Sequence, residues 1–205
     1  QFAKTLSRAG AAVVLASRRM EKLKELRAEI QSEGGDAHVV SLDVTTLGSI
    51  KSAVAHAETE VGSIDILVNN AGATWGAPAE NHPVAAWDKV MNLNVRGYFI
   101  LSQEVAKLSM IPNRKGRILN VASITGLAGN PVEMQTIAYN TSKGAVVNFT
   151  RTLGAEWGAH NITVNAICPG FFPSKMTMGT LKALGEEKLI GGTPLHRLGD
   201  DEDLK

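Results

Sequence analysis

The chain reads as an α/β protein: a doubly wound parallel sheet in a three-layer α/β/α arrangement. Three observations predict it. Short apolar runs alternate with stretches long enough for helices, the pattern of βαβ units. The runs are nearly continuous rather than alternating, as strands covered on both faces require. Small and polar residues follow the runs, at the carboxyl ends where open α/β sheets receive ligands.

Taken in order, Phe2–Arg8 reads as the tail of a helix closed by Ala9-Gly10. The strands are Ala12–Leu15, His38–Leu42, Ile64–Val68, Arg117–Val121 and Thr163–Ile167. Between them Met20–Glu33, Ser49–Val61, Val84–Leu108 and Ala138–Gly158 are long enough for helices, and right-handed crossovers complete the winding. Asp200–Asp203 is acidic, as the opening turn of a helix prefers. A strand is expected before Phe2 and another after Lys205, so the reading is one domain over residues 1–205, truncated at both ends.

Bulk properties narrow the function. A chain of 205 residues, 44% hydrophobic, can bury one substantial core. A net charge of +1 with scattered basic residues argues against nucleic acid as the main partner. No apolar run is long enough to span a membrane. The single cysteine, Cys168, rules out an internal disulfide and fits a reducing cytoplasm. His38, His56, His82, His160 and His196 are dispersed and offer no metal-ligand spacing.

The strongest chemical signal is Tyr139-Asn-Thr-Ser-Lys143 at the start of a predicted helix. Residues four apart share a helix face, and an ammonium there favours phenolate, lowering the tyrosine pKa. Such a tyrosine exchanges a proton with a carbonyl or alcohol oxygen while hydride moves at carbon. Alone, the spacing recurs by chance and describes an ordinary exposed pair. Upstream, Ser123 follows the strand Arg117–Val121, where a hydroxyl either bonds a substrate oxygen or satisfies a turn. Asn94 sits mid-helix, a poor place for asparagine unless its side chain has a task. Asn69-Asn70-Ala71-Gly72 ends a strand with residues small enough for close ligand approach, or forms a plain turn. Pro169-Gly170 plays a similar part. Asp43-Val44 ends another strand, where the carboxylate binds an amino group or caps the next helix. Ser17-Arg18-Arg19 ends the first strand. Arginine at that level of a dinucleotide fold accommodates a 2′-phosphate, whereas an acid favours NAD.

In this order the pieces resemble the short-chain dehydrogenase/reductase family, of classical type and Rossmann-type fold, over nearly the whole chain. The resemblance implies that Ser123 orients the substrate oxygen and that Tyr139 is the acid/base. It implies that Lys143 tunes the tyrosine and holds the nicotinamide ribose, and that Asn94 positions a relay water. It places Ser17, Arg18, Arg19, Asp43, Val44, Asn70, Ala71, Gly72, Pro169, Gly170, Phe172 and Ser174 on the cofactor, with Tyr139 and Lys143 beside it. NADP(H) is the expected cofactor and NAD(H) the alternative, on Ser17, Arg18 and Arg19. The family's glycine-rich phosphate turn lies before residue 1, which puts cofactor binding by this chain alone in question. The Ser123–Tyr139 loop is longer than is usual in the family, with Asn130-Pro131 and Val132-Glu133-Met134 bordering the substrate.

Loops around Trp75 and Phe171–Thr177 resemble those of bacterial β-ketoacyl reductases, the rhamnolipid-type ketoacyl reductase and gluconate 5-dehydrogenase-like members. Trp75, Met134, Phe171, Phe172 and Met176 suggest an apolar pocket for a 3-oxoacyl-type or other small ketone, or else lid and interface residues. Lys175 would meet an anionic carrier or simply face solvent. The long helices Val84–Leu108 and Ala138–Gly158 imply, by family likeness, a homodimer or homotetramer. The rival readings are a cofactor-binding pseudo-enzyme and a related isomerase or dehydratase. Pro169-Gly170 follows the Tyr139 helix too soon for a large substrate domain between them.

Overall fold

The computed structural model describes residues 1–129, 131–174, 177–179, 181 and 185–204. Asn130, Lys175 and Met176, expected at the substrate pocket, lie outside the described residues, as does Lys205. The elements run α1 (Phe2–Arg8), β1 (Val13–Ser17), α2 (Met20–Ser32), β2 (Ala37–Ser41), α3 (Leu47–Glu60) and β3 (Ile66–Asn69). A long helical stretch follows, through α4 (Val84–Met91), a π-helical turn (Asn92–Arg96), α5 (Gly97–Val105), a second π-turn (Ala106–Met110) and α6 (Ile111–Asn113). Then come β4 (Gly116–Val121), α7 (Ile137–Trp157), β5 (Ile162–Ile167) and α8 (Glu186–Gly191). Each strand and helix expected within residues 12–158 forms, as does the strand expected at Thr163–Ile167, with ends displaced by no more than two residues, except that the helical stretch from Val84 runs on to Asn113, five residues past the expected Leu108. Asp201–Leu204 forms a 3-10 turn.

Every strand pair is parallel, and the ladders fall into two groups. β1 pairs with β2, while β4 lies between β3 and β5, and β1 and β3 share no hydrogen bonds. The expected winding is therefore present as two parallel ladders. Ile50, Met110, Ile118 and Ile162, all essentially inaccessible, centre the core shared by α3, the second π-turn, β4 and β5. Burying such side chains stabilises by roughly 1.5–3 kcal/mol each. A second cluster, Val13, Leu15, Leu23, Ile30 and Ala37, joins β1 and β2 to α2.

Local chemistry explains the helix that matters most for the site. In α7 the buried positions Ala138, Ser142, Val146, Thr150 and Leu153 recur every three or four residues, one stripe laid against the sheet. The helix runs into a 3-10 turn at Gly158–His160, and Asn161 then takes the left-handed conformation (φ 59°).

Candidate active site

The carboxyl ends of β3, β4 and β5 bring the predicted catalytic set together. Ser123 lies just beyond β4, is 7% exposed, and accepts hydrogen bonds from Thr125 N (3.2 Å) and Oγ1 (3.0 Å). It also stands near enough to the phenol of Tyr139, in the first turn of α7, to favour its ionised form. The turn carrying Ser123 rests directly on α7. A Cβ on Gly126 would stand 2.6 Å from the backbone carbonyl of Lys143, so only glycine fits this approach.

Lys143 is 3% exposed, and its ammonium donates to the Val121 carbonyl (2.6 Å). Its Nζ lies 5.6 Å from the ring centres of both Tyr139 and Tyr98. Burial pulls its pKa down to about 8, with Cys168 opposing the shift. Tyr139 goes the other way. Burial raises its phenol above the ordinary value of 10, and the neighbouring Ser123 hydroxyl partly offsets this. In this arrangement the ammonium is committed to a backbone carbonyl, and desolvation of the phenol sets the net direction.

Asn94 is fully buried inside the first π-turn, a helix irregularity that recurs at functional sites. Its Oδ1 accepts from Ala73 N (2.8 Å), and its Nδ2 donates to Ala73 O (2.9 Å) and Ser142 Oγ (2.9 Å). Ser142 Oγ in turn donates to the Tyr139 carbonyl (2.7 Å). The asparagine therefore splices the loop after β3 to the first turn of α7. Sequence reasoning did not single out Ser142 or Tyr98; each is a buried polar group on the packed face of its helix, at a position where the 3.6-residue period expects an apolar side chain.

Beneath the site Asn69 donates to Ser102 Oγ (3.0 Å) and Asn120 Oδ1 (2.9 Å), and Asn120 donates to Thr150 Oγ1 (2.9 Å). This buried chain joins β3, β4, α5 and α7.

The expected cofactor residues line the same edge. Asn70 and Ala71 are exposed, and a Cβ on Gly72 would meet Asn94 Oδ1 at 3.7 Å and Lys143 Nζ at 3.9 Å. Pro169 anchors its segment by accepting from Ile124 N (3.1 Å). Gly170 is exposed, and a Cβ there would lie 3.9 Å from the Ile124 side chain. At the far end, Asp43 accepts from Thr45 N (2.9 Å) and Oγ1 (2.7 Å), and these bonds hold its carboxyl below the usual range. Arg18 faces it at 3.9 Å with 68% of its side chain exposed. Ser17 Oγ accepts from Arg19 N (3.1 Å), a local turn before α2, and Arg19 is exposed. Val44 is buried, its carbonyl so close under Gly97 that an added Cβ would stand 3.1 Å away. The Phe172 ring covers Gly199, and Ser174 closes a turn with Thr177 (2.9 Å). These last two stand on the segment after β5 and make local contacts there.

The donor set fits a dinucleotide's oxygens. Of the three N–H donors on Lys143, the described residues engage one, beside a glycine small enough to admit a ligand. Asp43 and Arg18 present opposite charges at the distal end of the edge.

A cavity of about 340 Å³ opens beside the first turn of α7, lined by Ala77, Glu80, Val132, Met134, Ile137 and Asn140 among others. It takes Met134 from the expected pocket set, while Trp75, Phe171 and Phe172 lie outside its lining. No described helix is long and apolar enough to cross a membrane.

Comparison with known proteins agrees with this arrangement. The family model for short chain dehydrogenase matches residues 1–184. Gluconate 5-dehydrogenase of Gluconobacter oxydans is 36% identical over 99% of this chain and 78% of its own length. A 3-oxoacyl-[acyl-carrier-protein] reductase of Thermotoga maritima is 36% identical over 95% and 77%. Among solved structures, a Burkholderia cenocepacia gluconate 5-dehydrogenase in complex with NADP and tartrate superposes with TM-score 0.90 at 33% identity, covering 96% of this chain and 76% of that one. An NAD+-bound xylitol dehydrogenase gives 0.91 at 32% identity, covering 98% and 82%. The chain belongs to the short-chain dehydrogenase family and is an NAD(P)(H)-dependent oxidoreductase interconverting a carbonyl and a secondary alcohol.

Proposed function

We propose that this chain reduces a 3-oxoacyl-type or other small ketone with NADP(H), Tyr139 giving the proton. The observation that carries the reading is the convergence of Ser123, the Tyr139 phenol and the Lys143 ammonium, 5.6 Å from the tyrosine ring centre, at one end of a parallel sheet.

When bound, the nicotinamide supplies hydride to the carbonyl carbon. Ser123 holds the carbonyl oxygen beside the phenol, and Tyr139 gives that oxygen its proton, leaving phenolate and a secondary alcohol. Lys143 offsets the phenolate charge from across the ring and offers its free N–H donors to ribose hydroxyls. Asn94 holds the Ala73 loop in register with α7. Proton return from solvent restores the phenol. Alcohol oxidation reverses these transfers.

The preference for NADP(H) rests on Arg18, mostly exposed and free to turn from Asp43 towards a 2′-phosphate, with Arg19 next to it and Ser17 in place of an acid. The ketone class rests on the 3-oxoacyl reductase relative and on the cavity flanking α7, which carries Val132, Met134 and Ile137. A homodimer or homotetramer belongs to the same proposal. A groove of about 590 Å³ between α4–α5 and α7 carries Met91, Val95, Phe99 and Phe149, and Phe99 is 47% exposed. Cytoplasmic location is inferred from the single unpaired thiol, Cys168.

The test is oxidation of NADPH and of NADH by the purified chain against β-ketoacyl thioesters and keto-sugars, beside Tyr139→Phe. Turnover of thioesters, faster with NADPH and lost in Tyr139→Phe, supports the proposal. Turnover of keto-sugars alone would move the substrate to the gluconate dehydrogenase side.

A further inference from the structure

A second tyrosine stands behind the lysine. Tyr98, in α5, is 1% exposed and packs among Ala122, Val146, Val147 and Cys168. Its hydroxyl donates to the Val121 carbonyl (3.3 Å), the same oxygen that accepts from Lys143 Nζ (2.6 Å). The Lys143 ammonium lies 5.6 Å from the centre of the Tyr98 ring and the same distance from the Tyr139 ring, so it sits between two aromatic groups. A buried ammonium needs more than one hydrogen bond to remain charged, and an aromatic ring within about 6 Å supplies attraction where water cannot reach.

We infer that Tyr98 is a positioning residue that seats the Lys143 ammonium, its ring stabilising the charge and its hydroxyl anchoring the shared carbonyl. The titratable groups facing Lys143 are Tyr98 from α5, Tyr139 from its own helix and Cys168 at the end of β5. Of these, Tyr98 stays a neutral donor through the working range, because burial first and Tyr139 second push its phenol beyond the reach of physiological pH. The ring therefore acts on the ammonium without competing for its proton. Remove the ring, and Lys143 loses its proton more readily, so its own titration moves to lower pH.

The inference rests on the proposed acid/base role of Tyr139, but its test does not require turnover. The readout is the Lys143 ammonium itself, followed as the pH dependence of urea unfolding, since stability rises with pH once the buried lysine has lost its proton. Tyr98→Phe keeps the ring; Tyr98→Leu and Tyr98→Met remove it, the methionine preserving more of the volume. The expected result is a Lys143 midpoint lower by about half a unit or more in the Leu and Met variants than in Tyr98→Phe, each referred to its Lys143→Met counterpart. Where turnover is measured, the pH profile should shift the same way, with Tyr98→Phe close to the unsubstituted protein. Equal midpoints in folded Phe and Met variants would overturn the assignment, even if thermal stability fell, because packing alone would then account for Tyr98. A protein that shows the midpoint shift but turns over no ketone would retain this inference and lose the proposed substrate.

Discussion

Asn94 and Ala73 are joined by a reciprocal pair of hydrogen bonds: the amide oxygen accepts from Ala73 N and the amide nitrogen donates to Ala73 O. A primary amide can complete this pairing because it carries donor and acceptor side by side. Asn94→Asp keeps the shape but sets an oxygen against the Ala73 carbonyl and against Ser142. It should cost about 2–4 kcal/mol in urea unfolding. Asn94→Ala leaves both Ala73 groups unpartnered by the side chain and should cost about 1–3 kcal/mol. Equal stability for all three proteins would mean that the splice carries no load.

Removing the phenol oxygen isolates the proton transfer. Tyr139→Phe should lower kcat by roughly 100-fold to 10,000-fold. The thermal midpoint should hardly move, since the ring and its packing remain. A loss under tenfold would reassign the acid to another group or to water.

Burial of Lys143 makes a pH prediction whose sign follows from proton counting. Its pKa falls from 10.5 to about 8 on folding, so between those values the unfolded chain holds a proton that the folded one lacks. Stability then rises with pH across that window, and the full cost of burying the charge is felt below pH 8. Relative to the Lys143→Met protein, the wild type should gain about 3 kcal/mol between pH 8 and 10.5, read from urea unfolding at several pH values. A flat difference across the window would show that the ammonium is solvated in the folded state.

Gly126 sets how closely the Ser123 turn approaches α7. A Cβ there meets the Lys143 carbonyl carbon and oxygen at 2.6 Å, and backbone on both sides cannot yield cheaply. Gly126→Ala should destabilise by about 1–3 kcal/mol. It should also depress kcat at least tenfold by moving Ser123 away from Tyr139. Retained kcat with lowered stability would separate the turn's packing from its alignment of the hydroxyl.

Arg18 offers a test of cofactor choice. Arg18→Ala should raise KM for NADPH by roughly tenfold while leaving NADH within about twofold, since a single charge-assisted contact to phosphate is involved. Equal changes for both cofactors would place Arg18 outside the phosphate site.

Much of this was legible in the sequence because it is written in periodicity and in short linear spacings. The continuous apolar runs announced buried parallel strands, and Tyr139 and Lys143 lie on one helix, so their proximity is a matter of counting. Ser123 was legible for the same reason, at the end of a strand. What the sequence withheld depends on contacts between distant segments. Nothing in the run Gly97–Val105 says that Tyr98 will meet a carbonyl of β4, or that Asn94 will draw its own helix into a π-turn to reach Ala73. The net direction of the Tyr139 pKa was hidden for a related reason: spacing shows which charge is near, whereas desolvation depends on everything else that packs around the phenol.

The buried chain of side-chain amides and hydroxyls under the site also acts as a gauge. Asn69 and Asn120 are register partners across β3 and β4, and their amides meet only in that register. Sliding either strand by one residue would turn one of these side chains to the opposite face of the sheet and strand its polar atoms in the core. The two strands are thereby obliged to finish level with each other. The loops that bear Gly72 and Ser123 then leave the sheet at a common height, so the alignment of the catalytic edge is already decided when the core closes.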